Sequence, residues 1–271
     1  MIKRRREGFP RIMGVVNTTP DSFHPDSRTP SLPESVSRAL KLIEDGAEWI
    51  DVGGESTRPG ARPVSIEEEL ERVVPAIKSI RAELPEVCIS VDTRRSEVAR
   101  RSLDAGADMV NDVSALGDPG MLEVVAKYGC PLCVMHMQGL PGNMQNNPRY
   151  NDVVSEVKEY FVEAASRIVD AGVNHSQIIV DPGIGFGKRL EHNLALLSSG
   201  RGIVPEEKMR LMWGVSRKSM FYELLGRENS EDRLSGTLGI AAKSLEKQVD
   251  IIRVHDVAEH SDLFSAMSAV R

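Results

Sequence analysis

Several polar side chains in this chain stand directly after short apolar runs, where a strand hands over to a loop. They are Asn17, Asp92, Asn111, His136 with Gln138, Asp181, Lys218 within residues 216–219, Arg253 and His255, joined by a polar loop over residues 53–60 that carries Thr57 and Arg58. Their chemistry sorts into two groups. Asp92, Asn111 and Asp181 offer carboxylates and an amide that match the paired donors and acceptors of a flat heterocycle. Asn17, Lys218, Arg253 and His255 offer oxygen and cationic contacts suited to an anion such as phosphate, with a hard Mg²⁺ shared between Asn17 and the phosphates. Taken singly, each has a plainer role. An Asp or Asn after a strand is usually a turn former or helix N-cap, and Lys218 alone would be a solvated side chain. Their coincidence at one end of many strands is what carries weight.

The elements that must position them alternate. Short apolar runs over residues 11–16, 49–52, 87–91, 109–110, 132–135, 178–181, 209–215 and 251–254 read as strands. Between them lie helical patterns: 32–45, a helix entered at Ser65 with Glu68 at N3 completing a capping box, 97–104, 121–128, 153–171, 190–197, a helix pair across 220–247, and 257–270. The run 178–181 delivers Asp181 into the glycine-rich bend 182–188, so a buried strand ends at a sharp turn. Eight strands alternating with helices predict a parallel sheet, and at 271 residues they predict one (β/α)₈ TIM barrel, a single α/β domain spanning 1–271. Its active site belongs at the C-terminal ends of the strands, with the anion contacts on the last of them.

Composition narrows the classes. The chain is 41% hydrophobic and 27% charged with a net charge of −6, which describes a soluble globular protein. No apolar run reaches membrane length and the N-terminus lacks a signal-peptide core, so a cytoplasmic location and no membrane partner are expected. The basic run at residues 3–6 is too short a footprint for nucleic acid and reads as a solvated terminus. Cys88, Cys130 and Cys133 suit a reducing compartment, and the C-x-x-C spacing of the latter two reads as core packing. Gly183-x-Gly185 lacks the third Rossmann glycine, Lys188 is followed by Arg189 rather than the Ser or Thr of a P-loop, and the histidines show no zinc spacing.

The runs NTTPDSF (17–23), DVGGESTRPG (51–60), SVDT (90–93), NDV (111–113), MHMQ (135–138), DPGIGFGK (181–188), SRKS (216–219) and RVHDV (253–257) together resemble the dihydropteroate synthases. The resemblance spans nearly the whole chain. It implies a barrel transferase of folate biosynthesis, a sulfonamide target, joining 6-hydroxymethyl-7,8-dihydropterin diphosphate to p-aminobenzoate. Carried over by position, it implies pterin contacts at Asp92, Asn111, Asp181 and Lys218, and diphosphate contacts at Asn17, Thr57, Arg253 and His255. It further implies Mg²⁺ on Asn17 and a p-aminobenzoate pocket of Thr57, Arg58, Pro59, Phe186, Lys218 and Ser219. Asp92, Asp181, Lys218, Arg253 and His255 would carry the catalysis, in a homodimer. The long loops after the first two strands are expected to close over the diphosphate. Thr18, His24 and the Arg94-Arg95 pair depart from the usual pattern without touching an assigned position. Two alternatives share the pterin acids: a pterin-binding methyltransferase domain and a non-catalytic pterin-binding paralogue, neither of which needs the anion contacts.

Overall fold

Short β-branched strands that pair in parallel need helical crossovers, because a tight hairpin can join only antiparallel neighbours. The computed structural model describes residues 8–18, 32–56, 63–139 and 144–270. It closes β1 (Arg11–Asn17), β2 (Trp49–Gly53), β3 (Cys88–Asp92), β4 (Met109–Asp112), β5 (Leu132–Met135), β6 (Ile178–Asp181), β7 (Arg210–Trp213) and β8 (Ile251–Val254) into one parallel barrel in sequence order. β8 returns to pair with β1. Around it run α1 (Leu32–Asp45), α2 (Ile66–Glu83), α3 (Ser96–Asp104), α4 (Met121–Tyr128), α5 (Val153–Asp170), α6 (Leu190–Ser199), α7 (Met220–Leu225), α8 (Leu234–Lys243) and α9 (Val257–Ala269). The expected (β/α)₈ barrel is the fold found. The basic run at 3–6, Thr57, Arg58 and Pro59, and most of both long loops expected to close lie outside the described residues.

Strand alternation decides what reaches the site. Met13, Trp49, Met109, Cys133, Ile179, Met212 and Ile251 form a small cluster of their own, the floor of the barrel interior. Successive side chains on a strand face opposite sides, so the residue two further on faces inward as well. That step leads from Trp49 to Asp51, from Met109 to Asn111, from Ile179 to Asp181 and from Ile251 to Arg253. The intervening Ile50, Val52, Val110, Val180 and Ile252 belong to the large cluster shared with the helices. Cys130 is buried, and Cys133 sits in the interior floor, which bears out packing over redox chemistry. Burial pushes both thiols up, that of Cys130 to about 11.

Predicted and observed bounds coincide for α1, α4, β5, β6 and β8. β7 is shorter than the run at 209–215, because only Ile179, Val180, Ile251 and Ile252 pair with it. The capping box at α2 is half built. Ser65 accepts from the Glu68 backbone N–H at 3.1 Å, but the Glu68 carboxylate pairs with Arg72, one turn on. Accordingly Ser65→Ala should cost about 1 kcal/mol of stability by chemical denaturation. Glu68→Ala, which breaks one exposed pair, should cost under about 0.5 kcal/mol; equal losses would show that the box closes.

Candidate active site

The inward residues meet at the C-terminal mouth around one guanidinium. Arg253, on β8, donates through Nε to Asp51 Oδ2 at 2.5 Å and through Nη2 to Asp92 Oδ2 at 2.6 Å. Asn111 donates from Nδ2 to the same Asp51 oxygen at 3.2 Å, which fixes the orientation of its amide. Three strands are thereby tied across the lumen to a fourth. Asp51 is fully buried, whereas Arg253 keeps 23% of its side chain exposed and is reachable from the mouth.

Asp181 ends β6, and its Oδ1 accepts the Gly183 N–H at 2.8 Å. Two glycines make the following bend possible. A Cβ at Gly183 would stand 2.0 Å from His136 O, and one at Gly187 would stand 2.3 Å from Gln138 O, both at positive φ. Only glycine lets the two backbones approach this closely. The bend holds the Phe186 ring 4.1 Å from Lys218 Nζ, a cation–π contact. Lys218 is set by its neighbour Arg217, which has φ +54, a bidentate pair with Asp256 at 2.8 and 2.6 Å, and an N–H donated to Thr237.

His255 is held by Ser216: its backbone N–H donates to Ser216 Oγ at 3.2 Å, and Nδ1 lies 2.9 Å from that oxygen. Asn17, half-buried at the end of β1, pairs in register with Gly53. Ser219 is exposed at the start of α7. The structure therefore gathers Asp92, Asn111, Asp181, Lys218, Phe186 and Arg253 in and around the mouth, with Asn17, His255 and Ser219 at strand and loop ends on its rim.

Charge is close to balanced there. Burial pushes Asp92 up to about 7 against the pull of Arg253, with Asp51 adding to the rise. Burial also raises Asp181, opposed by the Gly183 N–H and the charge of Lys218. It draws Lys218 down to about 8, with Asp181 holding the ammonium up. Burial alone would loosen the proton of Arg253, but Asp51 and Asp92 outweigh it and hold the guanidinium charged.

Sequence reasoning missed Asp51, whose signal was its inward parity, two residues past Trp49. It also grouped Arg253 with the anion contacts alone, where the structure binds it to two acids. Lys188, set aside with the failed P-loop spacing, is buried beneath the Phe186 bend, and nothing in a single sequence distinguishes it from a surface lysine.

The family model for the pterin binding enzymes matches residues 13–255. The chain belongs to that family. It is 46% identical over 260 residues to a dihydropteroate synthase of Escherichia coli, covering 96% of this chain and 91% of that one. The solved dihydropteroate synthase of Yersinia pestis, in a sulfonamide drug complex, superimposes with a TM-score of 0.91 at 40% identity over 97% of this chain and 95% of that one. That of Xanthomonas albilineans with 4-aminobenzoic acid gives 0.89 at 41% identity, over 97% and 93%. The enzyme is thus a transferase of the dihydropteroate synthase type.

The raised Asp92 carboxyl sets a pH signature for stability. It binds its proton more tightly folded, near pH 7, than unfolded, where an aspartate lies near 3.8. Folding then takes up a proton between those values, so the contribution of Asp92 to stability falls as pH rises from about 4 to about 7. The melting temperature of the wild type minus that of Asp92→Asn should fall across this window and flatten above it. A difference that rises, or stays level, contradicts the shift.

Proposed function

We propose that this enzyme binds the pterin ring of 6-hydroxymethyl-7,8-dihydropterin diphosphate in the barrel mouth and transfers the dihydropterinylmethyl group from diphosphate to the amino nitrogen of p-aminobenzoate, giving 7,8-dihydropteroate and diphosphate in folate biosynthesis. The observation that carries the reading is the joining of Asp51, Asp92, Asn111 and Arg253 in one buried hydrogen-bonded set, with Asp181 ending a nearby strand. Asp92, Asn111 and Asp181 are acceptors and an amide at the depth where a flat heterocycle would enter, and Lys218 closes the pterin side. Arg253 serves two partners in this reading: it charges and aims Asp92 from below, and its exposed edge meets the diphosphate with His255. Asn17 and Thr57 complete the diphosphate contacts. Thr57, Arg58, Pro59, Phe186, Lys218 and Ser219 make the p-aminobenzoate pocket in this reading, which the Phe186–Lys218 contact supports.

Among the described residues no group of three or more His, Cys, Asp or Glu could hold a metal ion. The donor set fits Mg²⁺ in another way: the Asn17 amide supplies one hard oxygen, and diphosphate and water supply the rest, as Mg²⁺ prefers at nucleotide-like sites. Mg²⁺ held there would supply positive charge against the leaving diphosphate.

The displacement is dissociative in this account. Carbon–oxygen cleavage leaves positive charge on the exocyclic carbon, shared with the pterin ring, and Asp92 and Asp181 stabilise it from fixed positions. Arg253 and His255 meet the negative charge on the departing diphosphate. The aniline nitrogen is neutral at pH 7 and attacks without a dedicated base.

A homodimer belongs to this reading, and Tyr222, Leu224 and Leu225, exposed on α7, suit a second copy. So does a cytoplasmic location, consistent with three free cysteines and with the lack, among the described residues, of any helix long and apolar enough to cross a membrane. The deciding experiment follows diphosphate release from the dihydropterin diphosphate with and without Mg²⁺ and p-aminobenzoate. Release should require Mg²⁺ and accelerate with the amine, and Asp92→Asn should lower kcat by about 10²–10³-fold. Mg²⁺-independent release, or full turnover by the variant, would overturn the assignment.

A further inference from the structure

One deeply buried ion takes no part in the mechanism above. Lys188 is 4% exposed, and its Nζ lies 2.9 Å from Phe186 O, 3.1 Å from Gly183 O, 3.2 Å from His136 O and 3.0 Å from His136 Nδ1. The three carbonyl oxygens can only accept, so filling all of them takes the three N–H groups of an ammonium. The imidazole is compatible with that charge. Burial, with the charge of Lys188 adding to it, pushes the His136 ring down to about 3 and keeps it neutral. Burial pulls the Lys188 ammonium down to about 7, opposed by the charge of Asp181, and the three carbonyl contacts favour the protonated form. Among the described residues no carboxylate lies within ion-pair distance, so backbone dipoles take the place of its water shell.

Those carbonyls belong to two loops. His136 follows β5, while Gly183 and Phe186 lie in the bend after β6. The ammonium sits inside the bend and ties both its arms to the end of β5. Other bonds from the β5–α5 loop reach the same bend: Tyr150 donates to Gly187 O at 2.9 Å and Gln145 donates to Gly185 O at 2.6 Å. Of the pterin contacts, Asp92 and Asn111 are carried by β3 and β4 and joined to Arg253 and Asp51, while Asp181 is carried by β6 and meets the bend through the Gly183 N–H alone.

We infer that Lys188 is a positioning residue for the second substrate: its ammonium fixes the backbone of the Phe186 bend, and with it the ring that faces Lys218 in the p-aminobenzoate pocket. The inference rests on the reading of Phe186 as part of that pocket. Lys188→Met keeps the length of the side chain and removes the donors. In the Mg²⁺-loaded full-length enzyme it should raise KM for p-aminobenzoate about tenfold or more, because ring displacements of about an ångström act on this scale. The Kd for dihydropterin diphosphate, titrated without p-aminobenzoate, should change less than about threefold.

A parallel loss in both constants would mean that Lys188 supports the barrel rather than the pocket, and no change in either would mean that the bend holds without it; both overturn the inference. Should Lys188→Met fail to fold, Tyr150→Phe with Gln145→Leu loosens the same bend from its accessible side. That double variant should raise KM for p-aminobenzoate about threefold with pterin affinity kept, and an unchanged KM overturns the inference. Phe186→Leu, assayed alongside, separates the two levels. If it raises KM while the Lys188 and loop variants do not, the positioning role alone fails. If Phe186→Leu leaves KM unaltered, the pocket reading fails and the inference with it.

Discussion

A single guanidinium between two buried carboxylates sets the conditions for everything else at the barrel mouth. Two aspartates at the depth of Asp51 and Asp92 would repel one another in a low dielectric. Arg253 bonds to both, and burying the three groups together avoids the much larger penalty of a lone buried charge. The arrangement ties β8 through side chains to β2 and β3, strands that its own ladder, shared with β1 and β7, does not reach. A barrel whose mouth is cross-braced in this way presents its polar groups at fixed positions, and preorganised groups stabilise developing charge most effectively.

The remaining supports follow the same logic at a greater distance. Lys218 stands where Arg217 puts it, through a strained backbone and a bidentate contact with Asp256 that ties the loop after β7 to the loop after β8. Asp112 shows the division of labour on a single strand. Its neighbour Asn111 faces the lumen, while Asp112 accepts from Ser114 and Leu116 backbone N–H groups and shapes the turn outside. Adjacent residues on β4 thus split between site and scaffold, as strand alternation requires.

Much of this was legible in the sequence, for physical reasons. Short continuous apolar runs and period-3.6 patterning identified the barrel, because its strands are buried on both faces and its helices on one. Strand-end polarity picked out Asp92, Asn111 and Asp181 because a buried strand tolerates an acid only where something can pair with it. Partnerships were less legible. Nothing local says that Arg253, about 200 residues away in the chain, would bind Asp51, so it was read as an anion contact alone. Glu68 has the spacing of a capping box, yet Arg72 one turn later competes for its carboxylate and prevails. The burial of Lys188 arises from two loops folding over it, which no single-sequence pattern encodes.

In the proposed reading Arg253 organises the pterin acids and does not act on the diphosphate alone. Calorimetric binding of 6-hydroxymethyl-7,8-dihydropterin, which carries no diphosphate, to the wild type and to Arg253→Met tests this most directly. The variant should lose affinity for the bare pterin by about tenfold or more, since Asp51 and Asp92 would lose their shared counter-charge. Undiminished binding of the bare pterin, with only the diphosphate form weakened, would contradict it.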